Sequence, residues 1–70
     1  MKTYYDKVKE ILIQYEISEG RLARQASLAS GTITKWRTRG SFPQPRTRMA
    51  VVKALVELTG NPSHDFVSLS

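Results

Sequence analysis

The sequence predicts an all-α fold of four helices and a short fifth, in a single domain that spans residues 1–70. Apolar residues recur at steps of three and four, and capping and stop residues punctuate these stripes. No stretch of useful length alternates apolar and polar residues as a strand would. The chain contains no cysteine, so disulfides and cysteine-based zinc sites are excluded. Stability is therefore expected to come from packed helices or from a partner subunit.

The first two helices are predicted from their caps and their apolar stripes. Residues 3–16 form the first, because Thr3 can cap it and Asp6 stands at capping-box spacing. Its stripe consists of Tyr4, Val8, Ile11, Leu12 and Tyr15. Ser18 can cap a second helix over residues 19–26, and its apolar face consists of Leu22, Ala23 and Ala26.

A third helix is predicted over residues 30–38. Ile33 and Trp36 lie three residues apart, so they share its inner face, and Trp36 fits a core position better than a stacking platform. Two prolines and a glycine mark residues 40–45 as a loop, under which Phe42 is expected to tuck.

The fourth helix is expected to start at Pro45 or Arg46 and to run to Thr59, where Gly60 stops it. Its predicted stripe is Met49, Val52, Leu55 and Val56. Asn61 is predicted to cap a last helical turn that Pro62 opens and that ends near residue 68. Its apolar residues Phe66, Val67 and Leu69 either contact a second subunit or close the core of the monomer.

Charge is unevenly distributed along the chain. The net charge is +5, yet residues 20–56 hold eight cations and no acid, so that span alone carries +8. A basic middle of this kind is typical of a protein that binds a polyanion, either nucleic acid or an anionic membrane, although a merely solvated basic surface is the alternative. The longest apolar run is far shorter than a membrane span, and the first ten residues lack the apolar core of a signal peptide. We therefore expect a cytoplasmic protein that contacts no membrane.

Two short helices joined by a tight turn within this basic span have the layout of a helix-turn-helix. Ala23 is small where the two helices should cross, Leu28 is placed to plug the turn, and Ile33 packs back between the helices. Ser30, Gly31, Thr34 and Lys35 are then left on the outer face of the third helix. That face carries no bulky apolar residue, so it can approach a groove.

The chain resembles the Cro/CI helix-turn-helix family, the phage lambda repressor type, over essentially its whole length. The residues that carry the resemblance are Ile17, Ser18, Leu22, Ala23, Leu28, Ala29 and Ile33 to Trp36, with Pro45 to Leu55 similar to the family's fourth helix and Gly60 to Phe66 to its closing helix. The chain departs from the family in two places. Ser27 replaces the usual turn glycine, so a positive φ, which costs serine more than glycine, is expected there. Ser30 and Gly31 stand where the family often has glutamine or another long polar residue, and Gly31 has no side chain with which to read a base.

The resemblance implies a DNA-binding transcription regulator of the phage repressor class, which binds a palindromic double-stranded operator as a homodimer. With the third helix in the major groove, the residues expected to contact bases are Ser30, Gly31, Thr32, Thr34 and Lys35. The arginines expected to contact phosphates are Arg21, Arg37, Arg39, Arg46 and Arg48. An activator, or an excision or architectural DNA-binding factor, is the alternative, and a protein-interaction domain that uses the same fold is a further one.

Nothing in the sequence predicts catalysis. The residues Ser63, His64 and Asp65 are adjacent on one helical turn, so their side chains diverge and cannot converge as a triad. No glycine-rich phosphate loop, paired carboxylates or metal-ligand spacing is present. The chain is therefore predicted not to be an enzyme, and no metal, cofactor or small-molecule ligand is expected.

Overall fold

The computed structural model describes residues 2–29 and 31–70, and its helical segments follow the predicted order. They are α1 (Tyr4–Gln14), α2 (Glu19–Gln25), α3 (Thr32–Arg39), α4 (Pro45–Thr59) and a closing 3-10 helix (Ser63–Leu69). No strand occurs in the described ranges. The predicted all-α fold of four helices plus a short fifth is thus confirmed. Within those same residues, no helix has both the length and the apolar character needed to cross a membrane.

The predicted caps of α1, α2 and α4 are present. Thr3 Oγ1 accepts a hydrogen bond from the Asp6 amide at 3.2 Å, and Asp6 Oδ2 accepts one from the Thr3 amide at 3.0 Å, which completes a capping box. Ser18 Oγ accepts from the Arg21 amide at 3.1 Å. Gly60 ends α4 in a left-handed conformation. These local bonds fix where each helix begins or ends without help from the core.

The core gathers the inner faces of all the helices and includes three buried aromatic side chains. Its buried members are Tyr4, Val8, Leu12, Ile17, Leu22, Ile33, Trp36, Val51, Ala54, Leu55, Phe66 and Leu69. Tyr4 and Trp36 meet edge to face, with their ring centroids 5.3 Å apart. The Tyr4 hydroxyl donates a hydrogen bond to the Leu69 carbonyl at 3.2 Å, so it joins the two ends of the chain. Burial raises the pKa of Tyr4 to about 12, against a smaller opposing effect of Arg48.

The inner face of α4 differs from the predicted stripe. Met49 was expected to face inward, but 69% of its surface is exposed. The buried residues of α4 are Val51, Ala54 and Leu55, while Val52 and Val56 are only half-buried. Spacing could not decide between these faces because α4 carries apolar residues on most of its sides, and the 3-10 helix that packs on α4 selects which side is covered.

The C-terminal segment closes the monomer core. Phe66 and Leu69 are almost fully buried, whereas Val67 is exposed. Of the two roles predicted for these residues, closure of the monomer core is therefore the one that applies to Phe66 and Leu69. The segment is a 3-10 helix with Pro62 as its N-cap, which corrects the predicted cap at Asn61. The Asn61 side-chain amide instead donates to the Tyr15 hydroxyl. Runs of 3-10 helix longer than three or four residues are uncommon, and this one is interrupted at Phe66, whose backbone is not helical (φ −117°, ψ 22°).

Candidate nucleic-acid interface

The α2–turn–α3 unit is held from its inner side by three buried residues. Leu22 of α2 is fully buried, and Ile33 and Trp36 of α3 are at most 5% exposed. Ala23 is half-buried where α2 and α3 pack together, which agrees with the small residue predicted at that crossing. The opposite face of α3 is consequently turned away from the core.

The turn after α2 has the hydrogen bonds of a Schellman motif. The Leu28 amide donates to the Ala23 carbonyl at 2.8 Å, and the Ser27 amide donates to the Arg24 carbonyl at 3.2 Å. Ser27 adopts a positive φ of 56°, as the replacement of the turn glycine led us to expect. The end of α1 repeats this pattern with Glu16, which also has a φ of 56°. Both turns therefore place a non-glycine residue where glycine is least strained.

We expect Ser27→Gly to stabilise the domain. A left-handed conformation costs an L-residue about 1–2 kcal/mol, and glycine removes that cost. Glycine also raises the conformational entropy of the unfolded chain, which offsets part of the gain, so the net stabilisation is about 0.5–1 kcal/mol. In a domain of this size the thermal midpoint should rise by about 2–8 °C in a circular dichroism melt. Ser41→Gly is the matched control, because Ser41 is exposed and is not among the residues with positive φ. An equal rise in both variants would contradict the strain at Ser27.

The start of α3 lies later than the sequence predicts. The helix begins at Thr32 rather than at residue 30, and Gly31 precedes it with a φ of +85°. A Cβ at Gly31 would meet no atom within 4 Å, so glycine is needed there for backbone conformation rather than for space. Ser30, predicted to contact a base, lies outside the described residues.

The outer face of α3 carries the remaining predicted base-contacting residues. Gly31, Thr34 and Lys35 are exposed, and Thr32 is half-buried beside them. The Thr38 hydroxyl donates to the Thr34 carbonyl at 2.9 Å, so it is bonded within the helix. Beside this face lies a shallow groove of about 320 Å³ between α2 and α3, lined largely by small residues that include Gly20, Ala23 and Ala29. The face and the groove together leave room for close backbone approach.

Four of the five predicted phosphate-contacting arginines are exposed side chains on α2, α3 and the start of α4. They are Arg21 in α2, Arg37 and Arg39 in the last turn of α3, and Arg46 in the first turn of α4. Across residues 2–29 and 31–70, none of the four forms an ion pair with a carboxylate. Arg37 has the carboxylate of Glu19 nearby, and its charge acts on that carboxylate without forming an ion pair.

Arg48, the fifth of these arginines, is differently placed. Its Nη1 donates to the Pro43 carbonyl at 2.7 Å, and its guanidinium carbon lies 4.7 Å from the centroid of the Phe42 ring. Its Nε is buried without a partner among the described atoms. Phe42 itself is 67% exposed, so it lies on the loop rather than under it, and Pro43 is buried instead. Arg48 therefore holds the loop before α4, and little of its guanidinium is available to a ligand.

Two side chains of α1 bind a carboxylate at the start of α2, a contact that the sequence interpretation missed. Glu19 Oε2 accepts hydrogen bonds from the Tyr5 hydroxyl at 2.6 Å and from Lys9 Nζ at 3.2 Å. The bond from Tyr5, with a smaller contribution from Lys9, holds the pKa of Glu19 below its ordinary value. The same bond raises the pKa of Tyr5. The only sequence signal was that Tyr5 and Lys9 stand four residues apart and so share a face of α1.

This cluster affects the electrostatics of the candidate interface. Glu19 is the acid that borders the acid-free span, and it lines the groove between α2 and α3. Because Tyr5 and Lys9 bind its carboxylate, less negative charge faces an approaching anion. Arg37 acts on the same carboxylate as a weaker, more distant charge.

Metal ligation finds no support in the described ranges, which contain no group of three or more histidine, cysteine, aspartate or glutamate side chains that could hold an ion. His64 is largely exposed, and its Nε2 lies 3.3 Å from Asp65 Oδ1. This pair remains a surface contact between neighbours.

Comparison of the chain with protein-family models, with curated proteins and with solved structures finds no match. Inference about function therefore rests on the geometry and the charge of the site described above.

Proposed function

We propose that this protein is a sequence-specific, double-stranded DNA-binding transcription regulator of the Cro/CI repressor type. One observation carries the proposal. The outer face of α3 has no bulky apolar side chain, and four exposed arginines that form no ion pair in the described residues lie on α3 itself, on α2 and at the start of α4. A polar face of a helix bordered by cations is the arrangement that major-groove readers use.

In the proposed complex α3 lies in the major groove with its first turns at the base edges. Lys35 donates to O6 or N7 of a guanine, and the hydroxyl of Thr34 bonds a neighbouring base while its methyl group meets a thymine methyl. Thr32 and Ser30 are the other side chains proposed at this edge, and Gly31 contributes a close backbone approach. Each good base contact discriminates by about 1–3 kcal/mol.

The arginines play a different part in the proposal. Arg21, Arg37, Arg39 and Arg46 contact phosphates, which sets the register of α3 without reading sequence. Arg48 fixes the loop that leads into α4 and so orients Arg46, two residues earlier. A duplex is favoured over an anionic membrane because the exposed face of α3 is polar, whereas an interfacial helix would present an apolar face to lipid.

A dimer is part of the proposal because one unit reads only a short half-site. The domain measures 30 × 26 × 23 Å, so two copies placed side by side match half-sites about 34 Å apart. We propose that the protein acts as a homodimer on a palindromic operator in the cytoplasm of a bacterial host.

A salt titration of duplex binding tests the electrostatic half of the proposal. With four phosphates neutralised per monomer, log affinity should fall against log salt with a slope of about −3.6, while five cations would give a slope of about −4.5. The measurement uses fluorescence anisotropy with a labelled duplex, and heparin serves as the polyanion control. A slope near zero, or heparin that competes as well as any duplex of equal charge, would contradict the proposal.

A further inference from the structure

An exposed apolar groove runs along α4 on the side that the core does not use. Met49, Val52 and Val56 follow one another at steps of three and four along the helix, and they line a groove of about 420 Å³. Ser63 and Ser70 contribute to the opposite wall. Met49 is the most exposed large apolar residue of the described chain, although it lies in the second turn of a 15-residue helix.

Two opposite charges border the same groove. Lys53 and Glu57 lie one helical turn apart, both are exposed, and neither forms an ion pair within residues 2–29 and 31–70. Lysine placed four residues before glutamate is the less favourable order for a pair within one helix. Their charges thus remain available to a partner that presents the opposite arrangement.

We propose that this groove is the surface through which two copies of the chain form a two-fold dimer, with their α4 helices antiparallel. When α4 of a second copy crosses in the antiparallel direction between residues 53 and 57, Lys53 of one copy faces Glu57 of the other, and the reverse pair forms by symmetry. With the two-fold axis near residue 55, the Val56 side chains of the two copies meet, because each residue rises about 1.5 Å along the helix. Val52 and Met49 of one copy then lie toward the C-terminal end of α4 of the other, where Ser63 and Ser70 line the groove. Self-complementary charge flanking an apolar stripe favours a second copy over an unrelated partner.

The size of the groove indicates a weak dimer. A stable interface of standard size covers about 800 Å² on each partner, which is about one-sixth of the 4751 Å² surface of this chain. One half of α4 and the end of the 3-10 helix supply less than that, so we expect association at micromolar to submillimolar concentration. The purpose of the dimer rests on the proposed function, since a two-fold pair would bring two α3 faces to successive turns of one duplex.

Sedimentation velocity of the full chain without DNA tests this interface. The mass should rise with concentration from 7.9 kDa toward twice that value. Lys53→Glu and Glu57→Lys should each weaken association by about tenfold or more, because each places like charges opposite one another twice per dimer. The double variant Lys53→Glu with Glu57→Lys should restore association, since the pairs are then re-formed with reversed polarity.

Met49→Asp should also abolish association, with Ile13→Asp as its matched control, because Ile13 on α1 is similarly exposed at 66% and lies outside the groove. Circular dichroism melts establish that each variant folds. A wild-type chain that stays monomeric at submillimolar concentration, or a double variant no better than the single ones, overturns the interface. A chain that dimerises but binds no duplex overturns the proposed function alone, and a monomer that binds duplexes overturns the interface alone.

Discussion

Trp36→Ala is expected to unfold the domain or to bring it close to unfolding. Trp36 is 3% exposed, lies on the inner face of α3 and meets the ring of Tyr4 edge to face. Truncation of a buried tryptophan to alanine costs about 3–5 kcal/mol. A chain of 70 residues has a total stability of about 3.5–10 kcal/mol, so this single change removes a third or more of it. Urea denaturation followed by circular dichroism measures the loss.

Two comparisons keep this prediction specific. Trp36→Phe retains an aromatic ring in the core and should lose far less stability than Trp36→Ala. Lys35→Ala changes the neighbouring, exposed residue of the same helix and should shift stability by no more than about 0.5 kcal/mol. A Trp36→Ala variant that keeps its stability and loses only binding to nucleic acid would contradict the core assignment and favour a stacking role.

Lys35→Ala and Arg46→Ala are expected to impair DNA binding in different ways. Lys35 is proposed to read a base, so its loss should cost about 1–3 kcal/mol on the preferred duplex and relax the preference at one position. Arg46 is proposed to hold a phosphate, so its loss should weaken all duplexes about equally and flatten the salt slope by about one. Affinities for a preferred and a scrambled duplex, each at several salt concentrations, separate the two effects.

Lys7→Ala is the matched control for these variants, because it removes one cation from α1, outside the acid-free span. It should leave both the sequence preference and the salt slope nearly unchanged. If Lys35→Ala and Arg46→Ala behave alike, the proposed division between base readers and phosphate contacts is wrong.

The parts of the fold that depend on neighbouring residues could be predicted from the sequence. Thr3 and Ser18 cap helices through bonds that span three residues, Gly60 ends α4, and Ser27 adopts the expected positive φ. These interactions are local, so composition and spacing are sufficient to predict them. The buried position of Trp36 could also be predicted from the sequence, because α3 has a single apolar face.

Features that depend on distant contacts could not be predicted in the same way. The inner face of α4 depends on the 3-10 helix that covers it, which spacing within α4 does not reveal. The bond between Tyr5 and Glu19 joins two helices across 14 positions of sequence. Arg48 had the same sequence signal as Arg46, yet it faces Pro43 because of how the loop folds back.

Gly31 has a structural explanation beside its proposed place at the base edge. From the sequence it stood out because it offers no side chain to read a base. In the structure its positive φ provides the turn into α3, so glycine there has a conformational reason that is independent of any ligand. The proposed base contacts accordingly centre on Thr34 and Lys35, which are exposed one turn further along the helix.

Selection of bound duplexes from a random DNA pool tests the central claim most directly. The full chain is incubated with the pool at physiological salt, and the retained duplexes are sequenced after several rounds. The proposed regulator should enrich a palindromic consensus whose half-sites lie about 34 Å, or one helical turn, apart. Equal retention of all sequences would contradict sequence-specific binding and would leave only a non-specific attraction between the basic surface and DNA.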